Sequence, residues 1–123
     1  MANIRRSNGS KRDALKKRVG FERLPCHLCG HRIDYDAHYL SKVAYELDEI
    51  VPISRGGSPT DPDNVAQAHR CCNQWRGDRP LTAQLKAEIR ARFEREVLGV
   101  VREQQLQPEY QTSRAWLTPG GSG

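Results

Sequence analysis

No stretch of the sequence approaches the ~20 consecutive apolar residues that cross a bilayer. Its opening, Met1-Ala2-Asn3-Ile4-Arg5-Arg6, has no apolar h-region of the kind a secretory signal carries. Both absences predict a protein that stays in the cytoplasm, where thiols are kept reduced and disulfides are not expected. Apolar residues are also scarce, at 37% of 123, which is too few to promise a large core. Something besides burial is therefore expected to hold the chain together. No internal repeat is present. What the sequence does have is four cysteines in two clusters, Cys26/Cys29 and Cys71/Cys72. In a reducing compartment such pairs point to metal.

Twenty Lys and Arg stand against fifteen Asp and Glu, a net charge of +5. That balance suits a protein that meets phosphate backbones, although an ordinary solvated basic surface gives the same number. The excess is concentrated in an N-terminal arm holding Arg5, Arg6, Lys11, Arg12, Lys16, Lys17 and Arg18. Ser10 followed by Asp13 reads as a capping box opening a short helix through Arg18, closed by Gly20, with residues 1–9 loose before it. The arm is either a solvated face or a track along a phosphate backbone.

Further along, Leu24-Pro25-Cys26-His27-Leu28-Cys29-Gly30 reads as a knuckle, with Gly30 supplying a left-handed residue that aims two side chains at one point. Residues 43–52 alternate as a strand, and Ser54 to Pro59 form a turn that returns the chain as a hairpin. Asp61-Pro62-Asp63 offers helix-starting chemistry, so Asn64 to about Trp75 is expected to be a helix ended by Gly77 and Pro80. From Leu81 to about Gln105 a second helical pattern places Leu85, Ile89, Phe93, Val97 and Val101 on one side, a stripe that reads as core. The expected organisation is a basic arm over 1–20, a main domain over 21–105 and a flexible tail over 106–123.

Two constellations carry chemistry. Cys26-x-x-Cys29 supplies two thiolates, and His69-x-x-Cys72 supplies an imidazole and a third thiolate. Four such ligands close a tetrahedral zinc site with no open position, so the metal is structural and its binding energy becomes folding energy. Cys71 competes with Cys72 for the fourth place, and the spacing from His69 favours Cys72. His27, His31 and His38 read as surface or hydrogen-bonding bystanders of the knuckle.

The second constellation is Asp48-Glu49 near the end of the first strand, Asn64, and Asn73. With the Asp-x-Ile-x-Pro phrasing, the Gly56-Gly57 loop, Asn64-Val65, Cys72-Asn73 and Arg76-Gly77, the stretch from Cys26 to Gly77 resembles the HNH (ββα-metal) endonuclease family. The phrasing is most similar to the small zinc-containing HNH proteins of phages of actinobacteria. The resemblance implies a small α+β fold, a zinc-stabilised ββα-metal core with flanking N- and C-terminal helices. It assigns Asp48 and Asn73 as ligands of a catalytic Mg²⁺ or Mn²⁺ and Asn64 as the residue that fixes the loop.

At position 49 the family has a histidine that takes a proton from the attacking water, and this chain has Glu49. A carboxylate can act as base if its surroundings raise its pKa, or join the metal if a cation lowers it. It can equally mark a site that no longer cuts. Arg55, Arg70, Arg76 and Arg79 flank the site and are expected to hold DNA phosphates. Trp75 either stacks on a base or packs against the C-terminal helix. The implied activity is metal-dependent hydrolysis of DNA phosphodiesters, nicking or cutting, in a setting such as phage DNA packaging beside a terminase. The implied alternative is a zinc DNA-binding accessory protein that has lost catalysis.

Overall fold

The computed structural model describes residues 2–99, with side chains from residue 9 onward. It is a small α+β arrangement of three α-helices and one two-stranded antiparallel sheet. Helix α1 spans Ala2–Gly20, β1 Tyr45–Glu49, β2 Val65–His69, α2 Arg70–Arg76 and α3 Ala83–Glu96. The residues that position the site fall within one unit, Met1–Phe93. Among the described residues, no helix is long and apolar enough to cross a membrane.

Three expectations need correction. Helix α1 begins at Ala2, so Ser10 lies inside it and does not cap it; no proline interrupts the segment, and the helix runs on through the residues expected to be loose. The segment 65–69, expected to be helical, is the return strand, and the helix after it is confined to Arg70–Arg76. The helix-starting chemistry of Asp61-Pro62-Asp63 is used, but for a single 3-10 turn over Pro62–Asn64, where the Asp61 carboxylate accepts from the Asp63 amide at 2.9 Å. Pairing with β1 then overrides local helical tendency, as strand context commonly does. The register joins Tyr45 to His69, Leu47 to Gln67 and Glu49 to Val65. Third, α3 stops at Glu96. The segment from residue 100, which includes Val101 and the tail expected over 106–123, lies outside the described residues.

The sheet is a hairpin with a long connection, and its loop is packed tightly. A Cβ on Gly57 would lie 1.7 Å from the Val51 carbonyl oxygen, so the chain can pass there only as glycine. The two faces of β1 do different work because successive side chains in a strand point opposite ways. On one face Leu47 packs with Leu15 of α1 and Val65 of β2, with Val19 beside them. On the other, Glu46 and Asp48 meet side chains of α2.

The knuckle docks along β2. The His27 amide donates to the Gln67 carbonyl at 2.9 Å and the Gln67 side chain donates back to the Pro25 carbonyl at 2.7 Å. Within it the Gly30 amide closes on the Cys26 carbonyl at 2.8 Å, with Gly30 at φ 80°. Leu85, Ile89 and Phe93 of α3 are buried, as their spacing predicts.

Candidate functional site

The two cysteine clusters meet. Donor atoms of Cys26, Cys29, His69 and Cys72 lie within 4.8 Å of one another, and all four residues are buried. Cys26 and Cys29 come from the knuckle, His69 ends β2, and Cys72 sits in the first turn of α2. The strand-to-helix junction is what brings His69 and Cys72 to one point: His69 leaves the strand with extended backbone, and Cys72 follows three residues on, inside the helix. Cys71 is buried but is not one of the four donors. Adjacent helical residues point in different directions, which settles the competition for Cys72.

This donor set fits a structural metal ion such as zinc. His69 turns Nδ1 inward, 3.3 Å from the Cys29 sulfur and 3.6 Å from the Cys72 sulfur, while its Nε2 lies 2.7 Å from the Arg32 carbonyl oxygen. A carbonyl accepts, so Nε2 carries the proton and the Nδ1 lone pair is directed at the cluster. Amides of His69 and His31 donate to the sulfurs of Cys26 and Cys29, both at 3.4 Å, a common way of stabilising thiolate charge. Hydrogen bonds from Cys29 and then Cys72 hold the Cys26 thiol far below its ordinary range. Thiolate is the form that ligates metal. Phe93 closes the cluster on one side, its ring stacked on His69 at 4.3 Å between centroids.

The carboxylates at the end of β1 are arranged differently. Asp48 is 4% exposed. Its Oδ2 accepts from Arg76 Nη1 at 2.8 Å and from His27 Nε2 at 2.7 Å. Arg76 is 1% exposed and also donates to the carbonyls of Glu49 and Ile50. It is a buried clamp between α2 and the end of β1, which corrects the expectation that it contacts DNA. Glu49 points to the opposite face of the strand and pairs with Arg12 of α1, Oε2 to Nη1 at 2.7 Å. The same guanidinium donates to the carbonyls of Leu47 at 2.8 Å and Pro59 at 2.9 Å. Asn73 donates to Glu46 Oε1 at 3.0 Å, and Arg70 lies 3.5 Å from the other oxygen of that carboxylate.

Asp48 and Asn73 are thus each committed to a different protein partner, and a guanidinium already neutralises the buried Asp48. That arrangement does not fit a shared ligand set for a catalytic Mg²⁺ or Mn²⁺. Asn64 does sit where it can fix the loop. Its Oδ1 accepts from the Val51 amide at 2.8 Å, and its Nδ2 donates to the carbonyls of Val51 at 3.0 Å and Ser58 at 2.9 Å.

Of the remaining arginines, Arg55 is exposed and donates to the Asp78 carbonyl at 2.8 Å. Arg79 keeps half its side chain exposed beside Glu88, and Arg70 is partly covered by Leu40 and Glu46. Trp75 packs against α3, with the Arg92 guanidinium 4.3 Å from its ring centroid.

Three residues of this region were not assigned to it from sequence: His27, Arg12 and Glu46. For Glu46 strand alternation was available as a signal, since it shares a face with Asp48. His27 and Arg12 come from distant segments with no periodic relation to β1. Comparison with protein-family models, with characterised proteins and with solved structures finds no match to this chain.

Proposed function

We propose that the chain acts on DNA as an HNH-type endonuclease that hydrolyses phosphodiester bonds. The observation that carries this reading is the Asn64 bracket, a side chain just before β2 that makes three hydrogen bonds to the connecting loop. It occurs in a strand–loop–strand–helix unit stapled by a Cys/His cluster, with an Asp-Glu pair at the end of the first strand. The net charge of +5 favours an anionic polymer as substrate. The resemblance implies a role such as phage DNA packaging beside a terminase, recombination, or defence against competitor DNA.

In this reading the residues present have separable tasks. Arg76 and His27 hold the Asp48 carboxylate in one orientation, and Asn64 fixes the loop beside it. Arg12 holds Glu49, and DNA phosphates are the natural competitors for that partly exposed guanidinium, which would release the carboxylate to act as a base. A divalent cation, when bound, would neutralise charge at the scissile phosphate. The described arrangement offers it no shared ligand set at Asp48 and Asn73.

A second reading is favoured by the same two arginine pairs. With Asp48 neutralised by Arg76 and Glu49 by Arg12, the chain serves as a zinc DNA-binding accessory without hydrolysis. Nicking of supercoiled plasmid by zinc-loaded protein in Mg²⁺, Mn²⁺ or EDTA separates the two. Cutting that Asp48→Ala and Glu49→Ala both abolish supports the endonuclease. An inert wild type whose Glu49→His variant cuts, or DNA binding unchanged in Asp48→Ala with no cutting in either form, supports the accessory.

A further inference from the structure

A groove between the C-terminal half of α1 and the start of β1 belongs to neither the metal cluster nor the carboxylates. It encloses about 630 Å³, within the range of roughly 300–1,000 Å³ typical of sites for small ligands or single residues of a polymer. Its walls combine rings and cations, Lys16, Lys17, Phe21, Arg23, Tyr35 and Tyr45, with Lys16 and Arg23 each 5.6 Å from the centroid of a tyrosine ring, Tyr45 and Tyr35 respectively. The tyrosine rings lie 4.9 Å apart. Each is pinned through its hydroxyl, Tyr45 donating to the Lys16 carbonyl and Tyr35 to the Leu24 carbonyl, both at 2.6 Å. Gly20 lets the helix come this close, because a Cβ there would lie 2.8 Å from the Tyr45 ring. Beside this rigid pair Phe21 is 85% exposed, a ring that packing within the fold does not explain.

We infer that this groove seats an unpaired stretch of DNA, with Phe21 stacking on a base and Lys16 and Lys17 meeting the flanking phosphates. Charge decides for a nucleic acid strand over an apolar peptide. Both lysines are exposed at the rim, and the lining holds three cations, Lys16, Lys17 and Arg23, against one acid, Asp13; outside it Asp36 pairs with Arg23 at 2.9 Å, Asp34 also acts on that guanidinium, and Glu22 is exposed beside Phe21. Aromatic faces interleaved with cations are the chemistry that binds single strands, because every base offers a π-face whatever its sequence. Tyr45 and Glu49 lie on the same face of β1, roughly 13 Å apart at the rise of a strand. The groove therefore opens on the Glu49 side of the sheet. The inference builds on the DNA-acting reading by naming unpaired strand as the form recognised, and it does not require hydrolysis.

The test is fluorescence anisotropy of the zinc-loaded full chain with three labelled probes of equal length: single-stranded DNA, the same strand made entirely of abasic sites, and a duplex. Phe21→Ala is expected to weaken single-strand binding about tenfold and to leave the abasic strand and duplex unchanged. Lys16→Gln with Lys17→Gln is expected to weaken binding to all three and to flatten the salt dependence. Because Phe21 buries almost nothing, its variant should keep the wild-type melting temperature and zinc content. Equal wild-type affinity for normal and abasic strands, or wild-type single-strand affinity in Phe21→Ala, overturns the proposal. Plasmid nicking without single-strand binding sinks this inference alone; single-strand binding without nicking sinks hydrolysis alone.

Discussion

The Cys/His cluster and the Asp48-Glu49 pair are both built from short motifs and both touch the hairpin, the first through His69 of β2 and the second through β1, yet one converges and the other divides. Cys26, Cys29, His69 and Cys72 bring their donor atoms within 4.8 Å. Asp48 and Glu49 are neighbours in sequence but reach opposite faces of β1, where Arg76 holds one and Arg12 the other. The x-x spacings of the cluster match a turn of knuckle and a turn of helix, which gather side chains; adjacent positions in a strand separate them. Motif proximity is thus a good guide to a shared site only when the local backbone curls.

The sharpest way to break the comparison is to remove the convergent site. Cys29→Ser, or chelation, should unfold the chain, since structural zinc contributes on the order of 10 kcal/mol in small domains; loss of the circular-dichroism signal and of one zinc per chain by native mass spectrometry is the expected result. Cys71→Ser should leave the metal content as in the wild type, because that thiol lies outside the cluster.

At the divided site the largest effect belongs to Arg76→Met, which strands the buried Asp48 carboxylate. A loss of about 3–5 kcal/mol is expected in chemical denaturation, and Arg76→Met combined with Asp48→Asn should recover part of it. Asn64→Ala removes three hydrogen bonds from the loop and should cost about 1–3 kcal/mol, with faster hydrogen exchange at the Val51 amide as its local signature. Arg12→Gln breaks a partly exposed pair together with the hydrogen bonds to the Leu47 and Pro59 carbonyls and should cost about 1–2 kcal/mol. If Arg12→Gln proves as costly as Arg76→Met, the two faces of β1 are not energetically distinct.

The smallest expected effect is a pH dependence on the α1 face. Burial, and then the neighbouring Tyr35, raise the Tyr45 phenol to about 12 from an ordinary value of 10. The folded state therefore favours the protonated phenol. That contribution is fully present below pH 10 and is lost as pH rises towards 12. Thermal melts across pH 9–12 should show a small alkaline loss that Tyr45→Phe removes; an unchanged alkaline limb in the variant would falsify this assignment.

Much of this was legible beforehand. The Cys and His spacings identified all four cluster residues, because metal ligation demands particular atoms at particular separations. The buried stripe Leu85, Ile89, Phe93 followed from helical periodicity. A return strand is expected from sequence but not at residues 65–69, which read as helix, since Val65-Ala66-Gln67-Ala68-His69 has no local feature that outweighs the helix-starting turn before it; pairing with β1 decides their state. The sequence marks His27 as a surface or hydrogen-bonding residue without naming its partner, and only docking of the knuckle on Gln67 explains its place at 2.7 Å from Asp48.

By itself the sequence determined which atoms could ligate a metal, which helix face is apolar and where glycine punctuates the chain, since these depend on residue chemistry and local repeat. Only the tertiary structure decided the partners of the charged groups. Arg12 and Glu49 are 37 positions apart, and Arg76 and Asp48 are 28. Long side chains take whichever carbonyls and carboxylates packing brings within reach, and no local pattern specifies that choice.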